Sequence, residues 1–327
     1  PDGSFAARKI ECFSNQGAYA SHGHGIAAKG MGAFPQIYPC PNVEGDAYTV
    51  FTNRPAAGAM RGYGIPQAMW AGESHIDDVA RALGRDPVEY RRQIAMPRGY
   101  VDGFSKNENY FDTFRQVMDR GEAAIRYQEK RKAYENQTGP VRRGVGMALF
   151  WYNTAVWPIS LESCSCRMVL NQDGSLQVQT GETEIGQGCD TAFAQMAADA
   201  VGVPFEAVHV GSTQDTDLTP FGTGAYASRQ TYVGGFAIRQ TGELLREKIL
   251  ACAAELTRQM RENLDLAGGR IVRISDGRDL MGLGELATEV LYSLDHSQHI
   301  TAESTYQIKN NAYSFGCTFA EVEVDIP

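Results

Sequence analysis

Three times in this chain a stretch of glycines and other small residues runs directly into a helical pattern: Ala59 to Gln67, Gly181 to Asp190 and Phe221 to Thr231. Glycine reaches left-handed backbone and lets a neighbouring chain or ligand come close, so the backbone dictates the shape of such loops. The chain holds 35 glycines in 327 residues, well above the usual share of about 7%. A fold on this plan must set rigid loops beside helix N-termini and their free amides.

In the first loop, Ala59-Met60-Arg61-Gly62-Tyr63-Gly64-Ile65-Pro66-Gln67, a glycine-flanked guanidinium is arranged to hold an anion or oxo group, and Tyr63 could wall an aromatic slot. An ordinary loop-to-helix turn with a surface arginine is the competing reading. The second loop leaves a strand and enters a helix, so free amides near Gly186 to Gly188 would form an anion-binding nest. It is neither a Walker A loop nor a Rossmann fingerprint, and a plain turn fits its pattern equally. The third packs the donors Ser228, Arg229, Gln230 and Thr231 just after its glycines. Together the three suggest a large anionic ligand bound by loops from both halves of the chain.

Composition narrows the partners. The balance is 30 basic against 39 acidic side chains, net −9, without a basic stripe, which argues against nucleic acid. No apolar run approaches the roughly 20 residues of a membrane span. The seven cysteines form no CxxC pair, so zinc-ribbon, thioredoxin-like and iron–sulfur sites are unsupported. Cys164 and Cys166 read as reduced core thiols on one strand face, with metal or redox use as the alternative, and a cytoplasmic compartment fits. His22 and His24 could hold a metal but lack a nearby third ligand, so a loop or surface pair is the stronger reading. The opening Pro1-Asp2-Gly3-Ser4 reads as a turn tip and the closing Glu321 to Asp325 as an unfinished strand, so a piece of a longer protein is expected.

Along the chain, strands are expected at 5–19 and 48–53, a loop at 21–25, and a helix at 67–83 with Pro66 at its start. Asp86-Pro87-Val88-Glu89 is a capping-box signature, and one charged helix is expected over 110–136. The polar segment 137–143 separates residues 1–140 from 141–327. Beyond it, strands are expected at 144–150, 163–170 and 176–180, the last two joined by an Asp173-Gly174 hairpin turn. A helix at 188–201, a strand at 207–211 and a long helix ending near 259 follow. Residues 264–298 read as irregular, and 302–308 and 317–325 as closing strands. Interleaved strands and helices with hairpin connections indicate an α+β fold of mixed sheets with packed helices.

The three loops also carry a resemblance. Ala59 to Gln67 resembles the FRGYGxPQ-type segment of the xanthine dehydrogenase/aldehyde oxidase family of molybdenum hydroxylases, with Met60 in place of the commoner Phe. Glu184 to Gly188 is similar to its E-x-GQG segment, and Ala227 to Thr231 to its xSRQ-type segment. Likeness extends over Leu83 to Pro87 and Phe319 to Val324 and, more loosely, nearly the whole chain. The resemblance implies the central part of the large molybdopterin-binding subunit, with residues 1–140 closing a first cofactor-binding domain and 141–327 opening a second. The implied cofactor is molybdenum held by a pyranopterin (molybdopterin), in bacteria often extended to a cytosine dinucleotide. Arg61 and Ala227 would lie near the metal; Gly62, Gly186, Gln187, Gly188, Ser228, Arg229 and Gln230 would contact the cofactor; Tyr63 and Trp157 would line the substrate pocket, although a buried core residue is the stronger reading of Trp157.

The implied reaction hydroxylates an sp2 carbon of a purine or other N-heterocycle, with an aldehyde as the alternative substrate and water as the oxygen source. Iron–sulfur (2Fe-2S) and FAD subunits or domains, and the remaining molybdopterin-domain segments, are the implied partners. No catalytic residue is expected in this chain: the family's GGFGGK-type segment would lie upstream and its GxGE glutamate downstream. Gly282-Leu283-Gly284-Glu285 matches GxGE by letter but comes too early, so Glu285 is not expected to be the base and the chain alone is expected to be inactive. A non-catalytic assembly fragment and an unrelated anion-binding domain are the other classes the sequence allows.

Overall fold

The computed structural model describes all residues except 1, 104, 105, 107, 157–161, 212–214, 296 and 327. The chain forms two compact units, Pro1–Asn153 with Tyr313–Pro327, and Thr154–Ala312.

In the first unit, β1 (Arg8–Gly17) and α1 (Gly23–Ala33) lead to β2 (Val43–Phe51), and β1 and β2 pair in parallel. The glycine- and histidine-rich segment expected as a loop therefore opens a helix. Its glycines are packing devices: a Cβ on Gly30 would stand 2.8 Å from the Gly64 carbonyl oxygen, and one on Gly25 would stand 2.7 Å from the Tyr63 hydroxyl. The helix keeps these two glycines because the loop after Arg61 lies against it.

Next come α2 (Ile65–Ala82) and α3 (Pro87–Ile94). Asp86 caps α3 as its position predicts, accepting from the amides of Val88 at 2.9 Å and Glu89 at 3.2 Å. Glu89 does not close the box; its carboxylate takes the Arg92 guanidinium instead. The single helix expected over 110–136 is two, α4 (Thr113–Ile125) and α5 (Tyr127–Ala133), broken where Arg126 adopts φ +57°. The polar turn 137–140 leads into β3 (Val141–Thr154), longer than expected, which pairs with the chain's last strand, Ala312–Asp325. The core of this unit joins Ile76 and Ala80 of α2, Val88 and Tyr90 of α3, Phe114 and Met118 of α4, and Leu149 and Trp151 of β3.

The second unit is built on a four-stranded sheet. β4 (Ser163–Leu170) and β5 (Leu176–Thr180) are joined by the expected Asp173-Gly174 hairpin turn, where Gly174 has φ +85°. After α6 (Cys189–Val201), β6 (Val208–Val210) returns parallel to β5. This pair and β1–β2 are helix-linked crossovers, so the sheets are mixed rather than purely hairpin-connected.

A five-residue π turn, Gln230–Gly234, opens α7 (Gly235–Thr257). The segment expected to be irregular instead holds a small antiparallel sheet, β7 (Leu264–Ala267), β8 (Arg270–Arg273) and β9 (Asp279–Gly282), followed by α8 (Leu283–Leu291). β10 (Thr301–Gln307) pairs with β4 at the sheet edge, and β11 (Ala312–Asp325) closes the chain.

α6 and α7 bury Phe193, Ala197, Val201, Ile238, Leu245 and Ile249 in one core with Cys164, Cys166, Met168 and Leu170 of β4. Each buried Phe, Val, Leu, Ile or Met side chain among them contributes roughly 1.5–3 kcal/mol. Cys164 and Cys166 are buried, unbridged thiols on one strand face, and burial pushes Cys164 up to about 12. They are core residues. Among the described residues, no helix is long and apolar enough to cross a membrane.

Candidate functional site

In the first unit, the loop before α2 turns through three successive positive φ angles, Gly62 at +96°, Tyr63 at +49° and Gly64 at +89°. Such a run forces the chain to reverse sharply into the helix, and only glycine adopts it without strain. A Cβ on Gly64 would stand 2.3 Å from the Ile26 carbonyl oxygen of α1, so close approach also demands glycine. The Tyr63 hydroxyl meets His22 Nδ1 at 2.9 Å, and the two rings stand edge to face at 6.0 Å.

His22 is thus a prop for Tyr63, which spacing alone did not reveal. Arg61 is exposed, and among the described residues its guanidinium has no hydrogen-bond or ion-pair partner. The N-terminus of α2 has neither a side-chain cap nor an acidic residue in its first turn. An open guanidinium beside an uncapped 18-residue helix is a place for negative charge.

In the second unit the other two loops cross at a glycine contact. A Cβ on Gly181 would stand 2.3 Å from the Gly222 amide nitrogen, and one on Gly222 would stand 2.7 Å from the Gly181 carbonyl carbon. The loops are then tied by side chains. Gln187 Nε2 donates to Gln230 Oε1 at 2.6 Å and to the Thr183 carbonyl at 3.0 Å, and Gln230 Nε2 donates to the same carbonyl at 2.8 Å. The structure therefore brings Gly186, Gln187 and Gly188 together with Ala227 to Gln230, and separately groups Arg61, Gly62 and Tyr63. Trp157 lies outside the described residues.

Two expectations about these donors change. The amide nest is filled by the chain itself: Glu184 accepts from the amides of Gly186 at 2.6 Å, Gly188 at 3.1 Å and Asp190 at 3.2 Å. These amides pull the Glu184 carboxyl down to about 2. Arg229, read as an outward donor, is fully buried, with its guanidinium paired to Glu162 and Glu182. The Gln187 and Gln230 amides are likewise held within the loops, while Ile185, Phe221 and Tyr226 are exposed beside them.

Ala227 and Ser228 carry φ of +49° and +57°, and Ala155, whose amide donates to the Ala227 carbonyl at 2.8 Å, has φ +70°. Non-glycine residues in this region cost about 1–3 kcal/mol each and gather at ligand clamps and active sites. Among the described residues the Ala227 and Ser228 amides carry no hydrogen-bond partner. Glu184, Cys189 and Asp190 place ligand atoms within 4.8 Å of one another, but the Glu184 carboxylate is already held by the three amides. Glu285 stands in the first turn of α8, whose Gly284 packs on the Asp173 carbonyl of the β4–β5 turn.

Two molybdopterin cofactor-binding domain families match, one over residues 1–95 and one over 120–327. The xanthine dehydrogenase molybdenum-binding subunit of Escherichia coli O157:H7 is 43% identical over 326 residues, covering 99% of this chain and 43% of the relative. The chain thus spans less than half the length of that relative. Quinoline 2-oxidoreductase from Pseudomonas putida 86 superposes with a TM-score of 0.83 at 25% identity, covering 99% of this chain and 43% of that one. The aldehyde oxidoreductase from Desulfovibrio gigas superposes with a TM-score of 0.76 at 26% identity, covering 99% and 34%.

Proposed function

The chain belongs to the molybdopterin cofactor-binding family of molybdenum hydroxylases, the xanthine dehydrogenase and aldehyde oxidoreductase type, and from that premise we propose that its loops serve a molybdenum–pyranopterin cofactor in an oxidoreductase that hydroxylates an sp2 carbon of a purine or related N-heterocycle, with water as the oxygen source. The observation that carries the reading is the backbone: positive φ at Gly62, Tyr63, Gly186, Gly188, Ala227 and Ser228 falls on the three motif loops.

The residues fit such a group. Among the described residues, Arg61 offers an open guanidinium beside an uncapped helix, and Ala227 and Ser228 offer unpartnered amides. Arg61, with Gly62, would stand near the metal, as would Ala227. Gly186, Gln187 and Gly188 would line the pterin, and Ser228 would contact the cofactor. Arg229 and Gln230 serve from inside the loops. The bound group supplies a redox centre able to take two electrons from the substrate carbon.

Around it, Tyr63, held by His22, orients an aromatic substrate, and Arg61 stabilises negative charge developing on it. The glutamates bordering these loops are engaged, Glu184 by amides and Glu162 and Glu182 by Arg229. The base therefore comes from another segment of the full-length protein, and the 327 residues alone are inactive. Iron–sulfur and FAD partners carry the electrons away in a reducing, cytoplasmic setting.

Identity of 43% with a xanthine dehydrogenase subunit, against 26% with the aldehyde oxidoreductase, favours purines over aldehydes. The test is metal analysis and pterin extraction on the full-length protein, with dye-linked turnover of purines, nicotinate and aldehydes. Molybdenum with pterin, and purine turnover at least about tenfold above aldehyde, are expected. Aldehyde preference would move the substrate assignment; full-length protein that never acquires cofactor, with its maturation factors present, would make it an assembly domain instead.

A further inference from the structure

Behind the third loop, the fully buried Arg229 guanidinium forks onto three acceptors. Its Nε donates to Glu162 Oε2 at 2.6 Å, one Nη to Glu182 Oε1, and the other to the Ser163 carbonyl at 2.6 Å. Each acceptor is itself fixed. Glu162 Oε1 accepts from the Val156 amide at 3.0 Å, and its carbonyl accepts from Ile308 at 3.1 Å. The Glu182 Cγ lies 2.9 Å from where a Cβ of Gly234 would stand, so it packs into the space that the glycine of the π turn leaves open.

This cluster is a poor device for stability. Two carboxylates share one guanidinium in the interior, and Glu182 Oε2 has no hydrogen-bond partner among the described residues. Burial raises the Glu182 carboxyl, and the charge of Glu182 helps, after burial, to raise Cys164 beside it. Apolar side chains of similar volume usually hold a core as well or better. What a planar fork with three fixed acceptors does supply is position. It pins the residue that directly follows the two strained non-glycine positions, Ala227 and Ser228.

On the cofactor reading above, we infer that Arg229, with Glu162 and Glu182, is a positioning residue: the buried fork holds Ala227 and Ser228 in their left-handed turn and so presents their amides to the cofactor. The test uses the full-length protein carrying Arg229→Lys, which keeps the charge and loses the fork. Amide exchange in peptide 229–234 is expected to be about tenfold faster, with molybdenum and pterin content down by a similar factor in a protein that still melts cooperatively. Adding Ser228→Gly, which takes positive φ without strain, restores cofactor content with the lysine in place, whereas Arg258→Gly, which relieves positive φ elsewhere in the same unit, does not.

A folded Arg229→Lys protein with wild-type exchange and cofactor content overturns the inference, and so does failure of Ser228→Gly to rescue. If Arg229→Lys does not fold, Glu182→Ala removes one arm of the fork and is judged on the same two readouts, unchanged values counting against it. Wild-type protein holding neither molybdenum nor pterin would instead defeat the cofactor reading, and the exchange comparison alone would then decide the positioning role.

Discussion

At Glu184 a side chain of the loop occupies the place an external anion could take, and its charge is what the surrounding amides hold. The folded carboxyl sits near 2, below the ordinary 4.5, so its stabilising contribution is complete above about pH 4.5 and drains away as pH falls toward 2. Glu184→Gln is therefore expected to melt below the wild type near neutrality, with the gap closing between about pH 4.5 and 2. A gap that stays constant over that range in paired thermal melts would mean the charge is not what fixes the loop. The sequence showed Glu184 beside its glycines, since all its partners lie within six residues. It could not show which way Arg229 points, because its carboxylate partners are 67 and 47 residues away. Donor-rich composition is the same whether the donors face a ligand or the core.

Strand β4 separates the ends of the second unit. Its Ser163 end carries the Arg229 fork, and its Leu170 end leads to the Asp173-Gly174 turn on which α8 docks. Eight residues at about 3.3 Å each place Glu285 on the order of 25 Å from the Arg229 cluster. Glu285→Gln in the full-length enzyme is expected to change kcat by less than about twofold, and a loss of several orders of magnitude in steady-state turnover would make Glu285 the base. Elements with strong local signals were legible: α3 through its Asp86 cap, β4–β5 through Asp-Gly, α2 through its periodicity and Pro66. α1 was hidden because its glycines, poor helix formers, answer to the Tyr63–Gly64 turn packed on it. The β7–β9 sheet was hidden because four-residue strands are too short to display an alternation.

At the scale of the whole chain, the loops and the cores are separate investments. Arg61 to Tyr63, Gly186 to Gly188 and Ala227 to Gln230 belong to neither hydrophobic core, so losing a ligand from them leaves both cores intact. The chain's net charge of −9 also opposes an anionic ligand at long range, leaving attraction to local donors such as Arg61 and the open amides. A ligand that binds only the folded protein, at a thousandfold excess over its Kd, adds about 4 kcal/mol of stability. For units of this size, each kcal/mol shifts Tm by roughly 2–4 °C. Cofactor-free full-length protein is therefore expected to keep its far-ultraviolet circular dichroism while melting on the order of 10 °C lower, with new protease cuts in the Ala56–Gly64 and Thr219–Ser228 loops. Equal melting temperatures for loaded and stripped protein would show that these loops carry no binding energy, and would return them to the ordinary turns that their composition equally allowed.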